Sequence, residues 1–247
     1  MIGQVHANGY QTATSDGWVP NGFLFVGWQE QYLATRISRN LSPEPTLWTE
    51  LFVNLPKGFF LDIWNSVDAA DNGVKTKFGD EVNFTLGWKG TFTEMDVAVS
   101  AGYLNIAPLD AWGRDDVMVQ SLFISKLFEF ERHSLLPEFR IEHLSPTEDL
   151  GGGGVFFLPN ITHVWKKPFG IRSLSFSQQW KFVWQEGKFK NNDPNGKFVQ
   201  LDAALVWNAV KNVEIVPGVR TFFTVGDAND GRSDVEISPN VTIKFFF

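Results

Sequence analysis

The sequence predicts an all-β fold: a transmembrane antiparallel β-barrel of about twelve strands. Three observations carry this prediction. At the C-terminus Val241, Ile243, Phe245 and Phe247 fall on one side of a strand, and Asn240, Thr242 and Lys244 fall on the other. A terminal strand that alternates in this way and stops on an aromatic is how bacterial outer-membrane barrels commonly end. Alternation alone would suit a soluble sandwich equally, because period-2 patterning shows only that one face is apolar. The terminal Phe tips the balance. Second, no stretch approaches the roughly 18 consecutive apolar residues of a spanning helix, so a membrane would be crossed with strands. Third, 24 Phe and 10 Trp coexist with a mean hydropathy of −0.12. That near-neutral value arises when lipid-facing apolar residues alternate with lumen-facing polar ones.

The 247 residues form one barrel unit, 22–247, behind a polar leader, 1–21. All-β barrels run this long as a single domain. The leader from Gln4 to Asn21 has no strand pattern and is expected to be loose, with folding into the barrel mouth as the alternative. In order along the chain, the period gives strands at 23–37, 46–55, 59–67, 80–89, 92–104, 116–129, 134–144, 154–166, 170–184, 197–210, 214–226 and 234–247. Twelve is an even number, as single-chain bacterial barrels require. The connections alternate between short ones, such as Pro56-Lys57-Gly58 and Gly90-Thr91, and longer ones, such as 68–79 and 185–196. Periplasmic turns and extracellular loops produce this alternation, which places both termini at the periplasmic end.

Side-chain parity tests two hairpins. Leu47, Leu51 and Val53 must share a face with Phe59, Leu61 and Ile63, which demands an odd loop, and Pro56-Lys57-Gly58 supplies three residues with Gly58 in the left-handed position. Val82, Phe84, Leu86 and Trp88 must share a face with Met95, Val97, Val99 and Tyr103. That demands an even loop, for which Gly90-Thr91 suits a type II′ turn. Pro137, Pro159, Pro217 and Pro239 fall inside strands, where each removes a ladder donor, so bulges or shifted boundaries are expected there. Strand 116–129 is apolar on both faces and 154–166 reads in either phase.

The formal charge of −7 and pI near 5.1, with no basic stripe, argue against nucleic acid as a partner. Cys is absent, so neither a disulfide framework nor a thiolate metal site is expected. Met1-Ile-Gly-Gln lacks the basic and apolar regions of a secretory signal. We expect a signal peptide to have been removed and a start Met supplied.

The segment Lys57-Gly-Phe-Phe-Leu-Asp-Ile-Trp-Asn-Ser-Val-Asp68, followed by Glu81-Val-Asn-Phe-Thr-Leu-Gly-Trp88 and Ala101-Gly-Tyr103, resembles the proteobacterial putative outer-membrane proteins of the TorF-like family. Gln31-Tyr-Leu-Ala-Thr-Arg-Ile-Ser38 is similar to that family's first-strand pattern. The resemblance covers roughly the first 105 residues; the second half matches in strand count only. It implies an outer-membrane barrel and carries over no catalytic residue.

Several motifs suggest chemistry and have plainer explanations. His143 and His163 could meet across adjacent strands near Ser145, as a lipase would need, but polar residues at strand ends are common. Glu138 and Glu142 flank Arg140 on one face, which suits a self-neutralising ion-pair cluster better than a hydrolase pair. Asp227 to Asp234 has the residue types of a calcium loop but not its spacing, and Gly151 to Gly154 lacks the Lys-Ser/Thr of a phosphate loop. The Asn-X-Thr triplets at 83, 160 and 240 lie inside strands. Leu174, Phe176, Trp180, Phe182 and Trp184 share one face of a strand, as lipid contact requires.

No enzyme activity, metal or cofactor is therefore expected. Parity places Glu50, Asp62, Glu81, Asp96, Glu138, Glu142, Asp202, Glu214 and Glu236 inward, against Lys89, Arg140, Lys181, Arg220 and Lys244. The candidate lumen and selectivity residues are Glu50, Asp62, Asp202, Glu138, Arg140, Glu142, Lys181 and Arg220. Trp48, Phe52, Phe60, Trp64 and Phe222 share their parity and would narrow the passage. Val241, Ile243, Phe245 and Phe247 form the candidate assembly signal. The expected function is passage of small polar solutes or ions with cation preference, through the outer membrane of a Gram-negative cell. The alternatives are a closed structural or adhesive barrel acting through its loops and, more weakly, an outer-membrane enzyme. Expected partners are the lipid bilayer, lipopolysaccharide, the outer-membrane assembly machinery and the solutes themselves. Twelve strands lie between the side-chain-filled eight-stranded barrels and the open sixteen-stranded ones, so strand number leaves openness undecided.

Overall fold

A computed structural model describes residues 19–34, 39–42, 44–69, 81–105, 116–146, 153–187, 197–225 and 235–247. Twelve antiparallel strands close on themselves: β1 (Asn21–Gln29), β2 (Thr46–Asn54), β3 (Phe59–Asp68), β4 (Glu81–Phe92), β5 (Met95–Asn105), β6 (Val117–Ser125), β7 (His133–Pro146), β8 (Gly154–Lys166), β9 (Leu174–Gly187), β10 (Lys197–Val210), β11 (Val213–Thr224) and β12 (Val235–Phe246). Each pairs with its sequence neighbours. β1 then closes on β12 from Phe23↔Phe246 to Gln29↔Asn240, with reciprocal bonds between Gly22 and Phe247. Closure leaves no unpaired edge, the condition for a sheet to sit in hydrocarbon.

Alternation then sorts the side chains. Leu24, Val26 and Trp28 of β1, Phe84, Leu86 and Trp88 of β4, Trp180 and Trp184 of β9, and Ile243 and Phe245 of β12 are exposed on the outer surface. Their neighbours Phe25, Asn83, Gln179 and Thr242 are buried in the lumen. This is the reverse of a soluble core and the pattern expected of lipid contact. The prediction of twelve strands with short and long connections is met. Five short turns, the start of β1 and Phe247 lie at one end of the barrel, here called the turn end, and the longer connections leave the strands at the loop end.

Several boundaries differ from the sequence reading. The β4–β5 hairpin turns at Thr93-Glu94, with Phe92 opposite Met95 and positive φ at both turn residues, rather than at Gly90-Thr91. This is the dihedral signature of a type I′ turn. Sliding the turn three residues along lengthens β4 and starts β5 later by the same amount, which preserves the parity that the sequence demanded. Gly90 serves a different purpose, since a side chain there would collide with the ring of Trp88. The turn at Gly58 is as expected, with φ +83, and Lys57 before it is also left-handed. β9 begins at Leu174 rather than 170, because Lys167, Phe169 and Gly170 all take positive φ in a wider turn.

Pro137, Pro217 and Pro239 stay in register without bulges, contrary to expectation. Pro159 pairs with Phe139 in register on one side. On the other, the β8–β9 ladder skips from Phe157↔Trp184 to Asn160↔Lys181 without a register shift. Among the described barrel pairs the one shift lies at Asn208/Val210, next to the Lys211-Asn212 turn. The predicted strand 116–129 divides into β6 and a two-residue strand, Phe128–Glu129, which pairs with β7. Its two apolar faces have a structural reason. Inward Val117 and Val119 join Leu104, Leu144, Phe156, Leu158 and Val183 in an apolar cluster that fills the loop end of the lumen on that side.

The largest departure lies in the predicted strand 23–37. β1 stops at Gln29 and the chain turns into the barrel mouth, where Tyr32–Ala34 pairs with Arg39–Ser42. Leu33 is wholly buried and Tyr32 stacks on Trp64. Residues 1–18 of the leader, the acidic stretch 227–234 and Gly151-Gly152 lie outside the described residues.

Candidate functional site

The lumen holds a cavity of about 160 Å³ near mid-height, and it is charged. Six of the eight candidate selectivity residues line it: Glu50, Glu138, Arg140, Lys181, Asp202 and Arg220. Each arrives by register. Glu138 (β7) pairs with Asn160 (β8), which pairs with Lys181 (β9), while Asp202 (β10) stands opposite Arg220 (β11). One belt of the inner wall thus gathers charges from residues far apart in sequence.

The charges are partly neutralised in place. Arg220 donates to Asp202 from Nε at 2.7 Å and Nη2 at 3.4 Å, and Gln200 Nε2 donates to Asp202 Oδ2 at 2.5 Å. Arg140 lies 3.6 Å from Glu142, whose side chain is fully buried and faces Ser121. Of the cluster expected at 138–142, Arg140 and Glu142 are brought together, whereas Glu138 Oε2 has no hydrogen-bond partner. Glu142 and Asp62 are inward and buried but do not line the main cavity. A smaller cavity of about 30 Å³ lies among Phe52, Phe60, Lys89, Asp96, Phe123 and Arg140.

All five candidate constriction aromatics, Trp48, Phe52, Phe60, Trp64 and Phe222, are buried on the inside. Four of them fall into two groups. Phe23, Phe52 and Phe60 form a stack toward the turn end, with centroids 5.0 and 5.2 Å apart, and Lys89 lies 4.8 Å over Phe52. Trp48 and Trp64 cluster with Phe25 and Tyr32. Trp48 has room because its partner across the ladder is Gly27, where any side chain would enter the indole ring. Phe222 stands apart, between Gln200 and Glu236.

Sequence reasoning missed what closes the cavity toward the loop end. The inturned segment after β1 is tied to the wall by Glu30 N to the Pro239 carbonyl (3.0 Å), by Gln31 N to Ser238 Oγ (3.1 Å) and by Ser238 Oγ to the Gln31 carbonyl (3.1 Å). Arg220 Nη1 donates to the Leu33 carbonyl (3.2 Å), and Tyr32 donates to Glu81 (2.7 Å). The signal was present: Gln29-Glu30-Gln31 breaks the alternation with three consecutive polar residues. Gln29 and Gln179, which also line the cavity, were missed as well.

His143 and His163 do not meet. The register puts His143 opposite Val155, whereas His163 contacts His133 at 2.9 Å near the other end of the strands. Gln120 (2.7 Å) and Ser145 (3.4 Å) both approach His143 at Nδ1. A nucleophile relay needs its two partners on opposite ring nitrogens.

No protein-family model matches the chain, and no curated protein matches it in sequence. Solved structures do match in fold. An outer-membrane channel from Pseudomonas putida F1 superposes with a TM-score of 0.58 at 12% identity, covering 96% of this chain and 100% of that one. The NanC porin gives 0.53 at 10% identity, over 91% and 98% of the two chains. The KdgM porin, solved in complex with disordered oligogalacturonate, gives 0.52 at 9% identity, over 93% and 99%. The chain has the fold of outer-membrane β-barrel channels.

Proposed function

We propose that the protein is a narrow channel of a Gram-negative outer membrane, passing small polar solutes or ions with a preference for cations. The observation that carries this reading is the charged cavity at mid-lumen, enclosed by a wall whose outer face is apolar. A barrel that needed only to be a rigid scaffold could fill that level with apolar side chains, as this one does at Leu104, Val117 and Phe156. Cation preference is supported by the inward count of nine carboxylates against five basic side chains, because charges in a narrow, low-dielectric passage set the sign of the local potential. The short turns and the termini are assigned to the periplasm and the long connections to the cell exterior. Outward Val241, Ile243 and Phe245, with Phe247, are assigned to recognition by the assembly machinery. Bilayer lipid and lipopolysaccharide are the surrounding partners, and membership of the TorF-like family is supported by the resemblance of the first 105 residues.

Single-channel recording in a planar bilayer tests the reading. Small, well-defined steps and a reversal potential of cationic sign are expected under a salt gradient. One observation favours a second reading: the inturned segment and the loop-end apolar cluster both occupy the lumen. A closed barrel acting through its loops would give no steps at all, and that result would replace the channel.

A further inference from the structure

The charged cavity contains polar groups that the wall itself leaves unmatched. Glu138 is 7% exposed, and its Oε2 has no hydrogen-bond partner. Gln29 is 2% exposed, and its Nε2 likewise has none. Lys181 makes no ion pair or side-chain hydrogen bond among the described residues, whereas the nearby Asp202 is engaged by Arg220 and Gln200. A buried polar atom without a partner costs roughly 1–3 kcal/mol, so Glu138 Oε2 and Gln29 Nε2, with half-buried Lys181 beside them, favour an occupant of the void they share. Water alone can satisfy lone donors and acceptors. It does not explain why an acid and a base on opposite flanks of Asn160 stay apart instead of pairing.

The register fixes their separation. Glu138 and Lys181 stand on strands either side of β8 at one level, so their backbones are about 10 Å apart at roughly 4.8 Å per strand. Side chains as long as Glu and Lys, set on strands that far apart, can take the two ends of a small molecule that carries both signs of charge, each through a charge-assisted hydrogen bond of about 2.8 Å. Size points the same way, since a cavity of about 150 Å³ accommodates a ligand of roughly benzene's dimensions. An α-amino acid with a small side chain has that bulk.

We infer that the mid-lumen cavity is a binding site for a small zwitterion of the α-amino-acid type. Its ammonium lies against Glu138, its carboxylate against Lys181, and the Gln29 amide donates to its remaining oxygen. This rests on the channel reading and deepens it, naming the solute class that pauses in the passage. The choice over a simple anion follows from Glu138 Oε2, an acceptor with no hydrogen-bond partner. The choice over a simple cation follows from Lys181.

The test is block of single-channel current by L-alanine in a planar bilayer, compared with glycerol, which is similar in size but uncharged. N-acetylalanine and alaninamide each remove one charge from the solute. Alanine is expected to block at least tenfold more strongly than glycerol and than either analogue. Glu138→Gln and Lys181→Met should each weaken the alanine block about tenfold, with the folded gel mobility retained. If either variant fails to fold, the two analogues probe the same contacts in the parent protein. A conducting channel in which alanine and glycerol act alike, or in which both folded variants block as the parent does, overturns the zwitterion site and leaves the channel standing. Absence of conductance overturns the channel reading, and the site as a waypoint with it.

Discussion

Neutralising three inward carboxylates should reduce cation selectivity by an amount that the structure bounds. The described lumen carries Glu50, Asp62, Glu81, Asp96, Glu138, Glu142, Asp202, Glu214 and Glu236 against Lys89, Arg140, Lys181, Arg220 and Lys244, an acidic excess of four. A unit charge about 10 Å from a permeating ion, at an effective dielectric constant of about 20, contributes roughly 1.7 kcal/mol. Screening with a Debye length of about 10 Å at 0.1 M salt reduces this to about 0.6 kcal/mol. That favours a cation and disfavours an anion by about threefold each, or roughly tenfold in their ratio per excess charge. The parent should therefore lie close to the limit for a tenfold gradient, about 60 mV at 2.3 kcal/mol per 100 mV. The triple variant Glu50→Gln/Asp62→Asn/Asp202→Asn retains an excess of one and should fall to about 40 mV by the same conversion. Each change is nearly isosteric, so Arg220 keeps an acceptor at 202 as well as the Leu33 carbonyl. Reversal potentials in planar bilayers measure both proteins. Anion preference in the parent, or an unchanged potential in the triple variant, would refute the reasoning.

Arg220→Lys preserves the charge but cannot hold both Asp202 and the Leu33 carbonyl. Combined with Ser238→Ala, it should loosen the inturned segment and raise unit conductance, and an unchanged or lower conductance would show that the segment does not limit flow. Gly27→Ala pushes a methyl into the Trp48 ring and should cost about 1–3 kcal/mol in urea unfolding from lipid vesicles, as overpacking does. Trp180→Arg places a charge on the lipid face in mid-strand and should destabilise by roughly 2–4 kcal/mol in the same assay, whereas a neutral result would argue against lipid contact there. With a membrane-impermeant thiol reagent on intact cells, Ala69→Cys should label and Lys57→Cys should not, and the opposite pattern would invert the barrel.

What could be read from sequence was whatever depends on period 2. Face parity is unchanged when a two-residue turn slides along the chain, because even positions still meet odd ones. Glu50, Asp62 and Phe52 therefore point inward as expected, and the β4–β5 pairing keeps its faces although its turn moved from Gly90-Thr91 to Thr93-Glu94. The turn itself was misread because Gly90 had two explanations. Its position next to Trp88 explains it by ring packing rather than by backbone dihedrals, a distinction that local sequence does not carry. Proline was overweighted for a related reason. The ladder tolerates a missing donor with a local gap at Leu158-Pro159 instead of a bulge, since neighbouring pairs hold the register.

The functional geometry was harder to read because it depends on the exact register of neighbouring strands and on which side chains then meet. Parity named Glu138, Lys181, Asp202 and Arg220 individually. Which of them stand opposite one another follows from hairpin register, which the misplaced turns left unfixed. Register sets Asp202 against Arg220 while leaving Glu138 and Lys181 on either side of Asn160. Closure of β1 on β12 brings Ser238 and Pro239, near the end of the chain, beside Glu30 and Gln31 near its start, and so anchors a segment that a strand pattern alone would have carried straight past the barrel rim. On the channel reading, charge selectivity and constriction therefore depend on different sequence features. The sign of the lumen charge is spread over many strands and survives single changes. The constriction depends on a few bonds from Arg220 and Ser238 to one short segment, where single substitutions should have their largest effect.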